Sequence, residues 1–225
     1  MSKKAVVLLS GGLDSTTCLA IAKSEGYRCY PLSFDYSQKQ RYELKCAKRI
    51  VQLLGTEEHR IMRLPIDDFK AATSMTDPTM PIPDYVGDGK IPNTYVPARN
   101  TIFLSFALAY AELVGAEDIF IGANQHDYVG YPDCRLEYLR AFEAMAVLAT
   151  KAGVEGGRLQ IHAPLLMLTK KEIIKKGIEL GIDYGTTLSC YRPDDNGHSC
   201  GTCDSCTYRK KGFAEAGIAD PTVYF

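Results

Sequence analysis

The sequence predicts a doubly wound α/β domain, a parallel sheet of about five strands with helices on both faces, plus a small C-terminal metal-binding segment. Three observations predict it. Short apolar runs alternate with longer amphipathic stretches over most of the chain, which is typical of strand-helix-strand units. A glycine-rich turn follows the first apolar run directly. From about residue 184 onward the composition shifts to cysteine, glycine and charged residues.

Strands and helices are predicted in regular alternation. Strands are expected over residues 4–10, 28–35, 59–64, 118–123 and 159–163, and helices over residues 14–24, 40–54, 101–114, 135–151 and 169–180. Asn100 is the expected cap of the third helix, and Thr169 with Glu172 forms a capping box on the last one. Residues 71–99 are rich in proline and glycine without periodicity, which favours a functional or mobile loop. We expect an ATP-binding domain over residues 1–183 and a zinc-binding, helical segment over residues 184–225 packed on it.

Charge and composition exclude several classes of protein. The 225 residues carry a net charge of -1, so no global field attracts nucleic acid or anionic membranes. The apolar run near the N-terminus is too short for a signal peptide, and no stretch reaches the ~20 apolar residues of a membrane span. We therefore expect a cytoplasmic protein whose eight cysteines are thiols or metal ligands rather than disulfides.

The stretch VVLLSGGLDSTTCLA, residues 6–20, predicts a phosphate site. Adjacent glycines let the backbone approach a ligand, and the helix that follows directs its free N–H groups and positive dipole end at the same point. Hydroxyl groups of Ser10 and Ser15 add donors. The spacing fits neither a Walker loop nor GxGxxG. The alternative is a plain strand-to-helix turn capped by Asp14 or Ser15.

Four cysteines near the C-terminus have the spacing C-x9-C-x2-C-x2-C: Cys190, Cys200, Cys203 and Cys206. Four thiolates suit one tetrahedral Zn²⁺, and with no open coordination position the ion is structural. Disulfides and an iron–sulfur cluster are the alternatives, and His198 is a competing ligand. We expect the segment to fold back as a wall of the active site.

The residues Ser10, Gly11, Gly12, Asp14 and Ser15 resemble the SGGxDS signature of the PP-loop ATP pyrophosphatase superfamily. The resemblance implies an adenine nucleotide alpha-hydrolase-like fold and cleavage of ATP between its α and β phosphates. It also implies Mg²⁺ with ATP, either near Asp14 or with Asp14 only capping the helix. The ATP-binding residues implied are Leu9, Ser10, Gly11, Gly12, Leu13, Asp14, Ser15, Thr16, Thr17, Cys18 and Leu19.

Three further stretches, FDYSQKQRYEL (34–44), YVPARN (95–100) and DYVGYPDCR (127–135), together with the cysteines resemble the QueC family of nitrile-forming enzymes. That resemblance implies a carbon–nitrogen ligase of queuosine biosynthesis. Its partners would be ATP, 7-carboxy-7-deazaguanine and ammonia, with a 7-cyano-7-deazaguanine product and a homodimeric assembly. The family often has Gly, Arg and His where this chain has Ser37, Lys39 and Gln40, so roles for those three side chains stay open.

Roles for individual residues follow from the same resemblance. Asp14, Ser15, Arg99 and Lys170 are the catalytic candidates, and Arg99, Asn100, Tyr131, Asp133 and Arg135 are the substrate-binding candidates. Tyr131 can stack on a purine-like ring, and Asp133 can accept from its N1–H and amino groups. The alternatives are surface cations for Arg99 and Lys170, and, for GYPDCR, a tight Gly-Tyr-Pro-Asp turn that caps the next helix. Cys18 is expected to pack within its helix rather than react.

Two rival functions use the same features. An ATP-dependent tRNA thiolase would need a reactive cysteine and an RNA-binding surface, which the neutral charge disfavours. A nucleotide-sensing regulator would bind ATP without turnover.

Overall fold

A computed structural model describes residues 3–65, 73–87, 90–125 and 131–225. Among these residues, the chain forms five parallel strands and seven α-helices. The strands are β1 (Lys4–Leu8), β2 (Arg28–Asp35), β3 (Arg60–Arg63), β4 (Asp118–Phe120) and β5 (Gln160–His162). The helices are α1 (Leu13–Ser24), α2 (Glu43–Leu54), α3 (Arg99–Val114), α4 (Leu136–Ala149), α5 (Lys151–Val154), α6 (Lys170–Glu179) and α7 (Asp204–Ala216).

The strand order β3-β2-β1-β4-β5 puts β1 at the centre of the sheet. Alternate residues of β1 face opposite sides of the sheet. Val6 and Leu8 pack in a core with α3 and α4, whereas Ala5 and Val7 pack in a second core with α1, α2, α6 and α7. Helices thus cover both faces, so the predicted doubly wound architecture is confirmed.

Three element predictions need correction. The expected helix 135–151 is interrupted at Thr150, whose extended backbone ends α4 and whose hydroxyl accepts from Gly153 N–H to cap α5. The second helix begins at Glu43 rather than at Gln40, because residues before it form a turn. Asn100 does not cap α3, because the helix already begins at Arg99.

The cap of α3 comes from elsewhere in the chain. Ala98 occupies the N-cap position in the left-handed region, with φ of 52°, and has no capping side chain. The carboxylate of Asp133 instead accepts from the Asn100 N–H at 3.0 Å. By contrast, the capping box of Thr169 and Glu172 on α6 is confirmed.

The segment beyond residue 183 contributes to both cores. Tyr184 and Phe213 belong to the core beneath α1, and the four cysteines to the core on the other face. In the described ranges, no helix combines the length and apolar character that a bilayer crossing requires.

Candidate active site

A cavity of about 200 Å³ opens at the carboxyl ends of β1 and β4. These strands are neighbours whose chains continue to opposite sides, which is where ligands bind in open α/β sheets. The turns after both strands line the cavity. So do the start of α2, the start of α3 and residues 188–191.

Gly11 is held between two distant parts of the chain. It has φ of 93°, and a Cβ there would lie 2.2 Å from the carbonyl oxygen of Glu43. The Leu188 N–H donates to the Gly11 carbonyl at 3.0 Å. Only glycine fits such a close approach in this backbone region. The turn is therefore fixed by α2 on one side and by the C-terminal segment on the other.

Side chains of the turn organise it without capping α1. Gly12 is the N-cap residue, and no side chain bonds to the first N–H groups of the helix. The Ser10 and Ser15 hydroxyls lie 3.0 Å apart, and Thr16 donates to the Gly12 carbonyl at 2.7 Å. The alternative in which Asp14 or Ser15 caps the helix is therefore wrong. An uncapped N-terminus that lines a cavity is suited to an anion.

Gly122, in the turn after β4, allows that turn to approach α1. A Cβ on Gly122 would lie 3.1 Å from backbone atoms of Asp14 and Ser15. Sequence reasoning missed this residue, because its neighbours in space are more than a hundred positions away in the chain.

Asp14 and Lys170 form a nearly buried ion pair. The lysine Nζ lies 2.7 and 2.8 Å from the two carboxylate oxygens, and the lysine side chain is 9% exposed. Lys170 is the first residue of α6, so the phosphate-loop helix and α6 are linked at their N-termini. The lysine is therefore not the solvated surface cation of the alternative interpretation.

The predicted ATP-binding residues fall into two groups. Those that line the cavity are Leu9, Ser10, Gly12, Leu13, Asp14 and Ser15. Thr16, Thr17, Cys18 and Leu19 are buried within the fold, where Thr17 bonds to Tyr184 at 2.7 Å and Cys18 packs in the core as expected. Gly11 is not among the residues that line the cavity, and its close approach to Glu43 and its hydrogen bond from Leu188 fix the turn. Contact of all eleven residues with ATP stays a prediction.

The predicted substrate-binding residues also fall into two groups, those that line the cavity and those that do not. Arg99, Asn100 and Tyr131 line the cavity, and the Tyr131 hydroxyl lies 3.0 Å from that of Thr94. Asp133 and Arg135 do not line it: Asp133 caps α3, and Arg135 is exposed and bonds to the Pro132 carbonyl. Residues 132–134 form a single 3₁₀ turn, so the turn interpretation is confirmed, but its capping part is wrong because Asp133 caps α3 and the following helix α4 has no side-chain cap. Residues 127–130 of that motif lie outside the described residues, and recognition of substrate by Asp133 or Arg135 stays a prediction.

Sequence reasoning gave no role to three cavity residues near α2: Tyr36, Gln40 and Glu43. Burial raises the pKa of Glu43 to about 7, although the hydrogen bond from Gln38 and the charge of Arg99 lower it. Burial also raises the pKa of Tyr36, which Arg99 offsets in part. A signal was present, because all three lie in the stretch 34–44, but only the fold brings that stretch to the phosphate turn.

Cys134 is the cysteine that lines the cavity among the described residues. Burial raises the pKa of its thiol to about 11, with Asp133 adding to the effect. A thiol with that pKa is almost wholly protonated near neutral pH and is a poor nucleophile.

The four predicted metal ligands come together. The Sγ atoms of Cys190, Cys200, Cys203 and Cys206 all lie within 4.8 Å of one another, and all four residues are buried. The Cys200 and Cys206 sulfurs are 4.0 Å apart, close to the ~3.8 Å edge of a tetrahedron with Zn–S distances of ~2.3 Å. His198 is not in the cluster, and its Nδ1 lies 2.8 Å from Asp194. The cluster is therefore able to hold a metal ion.

The cluster lies beside the cavity. Three residues next to cysteine ligands in the chain line the cavity: Ser189, Tyr191 and Ser205. The cluster thus lies where we expected a wall of the site. Part of the loop 71–99 packs on the cluster too. Tyr85 N–H donates to the Thr202 carbonyl at 2.9 Å, and the Arg192 guanidinium bonds to the Ile82 carbonyl at 2.6 Å.

Comparison with solved structures supports the fold. The chain is similar to an NMN synthetase from Francisella tularensis, with a TM-score of 0.54, 19% identity and coverage of 97% of this chain and 79% of that chain. It also resembles a 4-thiouridine synthetase in complex with RNA and bound ATP, with a TM-score of 0.50, 20% identity and coverage of 96% and 50%.

Comparison of sequences is more specific. The chain is 58% identical over 224 residues to a 7-cyano-7-deazaguanine synthase of Dechloromonas aromatica (strain RCB), covering 100% of this chain and 99% of the relative. It is 58% identical over 222 residues to the same enzyme of Methylococcus capsulatus, covering 99% of both. The model of the family described as "Queuosine biosynthesis protein QueC" matches residues 4–217. The chain therefore belongs to the QueC family of queuosine biosynthesis proteins.

Proposed function

We propose that this chain is an ATP-dependent 7-cyano-7-deazaguanine synthase, which converts 7-carboxy-7-deazaguanine and ammonia to the nitrile. The observation that carries the proposal is the cavity itself. It joins an anion-binding helix N-terminus to a wall with a cation, Arg99, and aromatic side chains such as Tyr131. A nucleotide phosphate and a carboxylated purine-like ring can meet there. Full-length identity of 58% to relatives of that name supports the assignment.

The phosphate end of the cavity suits two successive adenylations. The substrate carboxylate attacks the α-phosphorus of ATP, and pyrophosphate leaves to the first turn of α1, beside Ser10 and Ser15. Ammonia then adds to the acyl carbon, AMP leaves, and a proton is released to give the amide. The amide oxygen attacks a second ATP in the same way. Loss of AMP and of the remaining N–H protons leaves the nitrile.

Catalysis in this scheme is positioning and charge compensation. Arg99 is suited to neutralise the substrate carboxylate or the α-phosphate, because it lines the cavity near the start of α3. Lys170 keeps Asp14 in place at the N-terminus of α1. A magnesium ion that enters with ATP would find the Asp14 carboxylate at the cavity wall, with Lys170 as the competing partner.

The four-cysteine cluster would hold one structural zinc ion. Buried thiolates in tetrahedral arrangement suit Zn²⁺, and backbone N–H groups already donate to the sulfurs: Cys200 N lies 3.2 Å from Cys190 Sγ. Such an ion would tie the segment 188–206 to the cavity. Because the ligands must stay reduced, we place the enzyme in the cytoplasm.

We also propose a homodimer. Exposed apolar side chains lie on neighbouring helices, with Leu113 on α3 being 74% exposed and Leu148 on α4 81% exposed. A tRNA thiolase is disfavoured by the high pKa of Cys134, because that reaction needs a reactive thiol.

A mass-resolved assay tests the function. The purified protein is incubated with ATP, Mg²⁺, an ammonium salt and 7-carboxy-7-deazaguanine, and nitrile and AMP are quantified. Two AMP per nitrile support both activation steps. AMP without nitrile redirects the search to another acceptor, and ATP binding without AMP under every condition favours a nucleotide sensor.

A further inference from the structure

The turn before α2 and the first residue of that helix bring two hydrogen-bond acceptors into the cavity wall. Gln40 is only 5% exposed, and its Oε1 has no hydrogen-bond partner in the described parts of the chain. Glu43 follows one turn later, and both side chains line the cavity. A buried carbonyl oxygen without a donor is costly, so this wall is incomplete without a ligand that donates hydrogen bonds.

Glu43 is held in place so that part of its carboxylate stays available. Gln38 Nε2 donates to Glu43 Oε1 at 3.0 Å and also to the Phe34 carbonyl at 3.0 Å. The side-chain Oε1 of Gln38 in turn accepts from the Tyr36 N–H at 2.9 Å. Gln38 is therefore locked by backbone groups and orients the carboxylate. Glu43 Oε2 makes no hydrogen bond with the residues that the structure describes.

The chemistry of this wall matches the donor edge of a guanine-type base. That edge presents an N1–H and a 2-amino group side by side, and a carboxylate accepts from both as guanidinium–carboxylate pairs do. A carboxamide oxygen beside it can accept the remaining amino proton. Tyr36 and Phe103, which also line the cavity, add aromatic surface for the ring. Asp133, the acceptor expected from sequence, accepts from the Asn100 N–H through Oδ2 as the cap of α3, and it does not line the cavity.

We propose that Glu43, assisted by Gln40, is the specificity-determining residue that reads the N1–H and 2-amino groups of the 7-carboxy-7-deazaguanine ring. The inference rests on the proposed function, since it assigns one edge of that substrate. It differs from a role in proton transfer, which the same carboxylate would perform if ammonium had to be deprotonated in the cavity.

The test compares two bases on the wild type and Glu43→Gln. One base is 7-carboxy-7-deazaguanine, and the other is 7-carboxy-7-deazahypoxanthine, which lacks the 2-amino group. We expect the wild type to prefer the amino base by about 10- to 100-fold in kcat/KM and in calorimetric affinity, because a hydrogen bond to a charged partner discriminates by that amount. E43Q should lower this preference several-fold by raising the KM for the amino base. The KM for ATP should stay within about twofold.

Glu137→Gln is the matched control, because Glu137 is also an acidic residue in the first turn of a helix but is exposed and does not line the cavity. It should behave as the wild type. Should E43Q fold poorly, Gln40→Leu gives a second reading, with weaker binding of both bases but ATP affinity unchanged.

Two outcomes overturn the inference. One is a lower kcat for E43Q with the base preference retained, which assigns proton transfer instead. The other is a wild type that binds both bases equally. If the wild type forms no nitrile, the proposed function fails, and calorimetry of the two bases still decides the role of Glu43.

Discussion

Replacement of Glu43 by glutamine should change the pH dependence of stability in a defined direction. Burial raises the pKa of this carboxyl from an ordinary 4.5 to about 7, with Gln38 and Arg99 acting against the shift. Below pH ~4.5 the group is protonated in both folded and unfolded states. As pH rises toward 7 the unfolded chain ionises freely while the folded chain resists, so the wild type loses stability.

The magnitude follows from the two pKa values. They differ by about 2.5, which at about 1.4 kcal/mol for each unit of pKa corresponds to about 3–4 kcal/mol. The glutamine of E43Q stays neutral and keeps an oxygen to accept from Gln38 Nε2. E43Q should therefore become more stable than the wild type as pH rises, by up to about 3–4 kcal/mol at pH ~8.

Urea denaturation of both proteins at pH values from about 5 to about 8 measures this, without substrate and at one fixed zinc concentration. The difference between the two unfolding free energies isolates Glu43, because effects of other titrating groups and of the metal are common to both. Glu137→Gln should show a difference independent of pH. A difference between E43Q and the wild type that stays constant within about 0.5 kcal/mol would refute the argument that burial of this carboxyl is costly.

Three further substitutions test the phosphate turn. Gly11→Ala should lower the unfolding free energy by about 2–4 kcal/mol and abolish ATP binding, because a Cβ there meets the Glu43 carbonyl. Gly26→Ala is the control, because Gly26 also has a positive φ but a Cβ there would meet nothing within 4 Å. Its unfolding free energy, measured by denaturation, should fall by only about 1–2 kcal/mol. Lys170→Met should destabilise by about 2–3 kcal/mol and slow AMP formation by leaving Asp14 unpaired, and adding Asp14→Asn should restore stability but not activity. Cys203→Ser should lose zinc by mass spectrometry and weaken ATP affinity about tenfold or more in calorimetry, since the segment that donates to Gly11 is no longer tied; retained ATP affinity in a zinc-free protein would contradict this coupling.

Local signals in the sequence predict most of the scaffold. The strand 28–35 has the predicted bounds, and α6 has the predicted capping box, because both depend on neighbours in the chain. The expected ends of β4 and β5 lie beyond the observed ones, although Ile121 N–H still donates to the His162 carbonyl at 2.9 Å. The cysteine spacing likewise predicts the cluster, since ligand turns are local motifs.

Contacts between distant segments could not be predicted in this way. Lys170 reaches Asp14 across 156 positions, so neither residue signals the other in the sequence. The capping of α3 by Asp133 depends on Asn100, 33 positions away, so no local signal in the sequence indicates it. In the sequence, Glu43 is an ordinary acidic residue in the first turn of a helix. Only the fold, which places α2 against the phosphate turn, indicates a role in the site.

A single residue, Glu43, links the phosphate side of the cavity to the side where we place the base. The carbonyl of Glu43 faces Gly11, whereas its carboxylate lines the space where we place the base. The distance from the phosphate turn to the base acceptor is therefore fixed within a single residue. In-line attack on the α-phosphorus needs the substrate oxygen placed to a fraction of an ångström, and such placement is lost when the two binding surfaces move independently. A second adenylation of the same ring, at the amide oxygen, can then reuse the arrangement without rebuilding it.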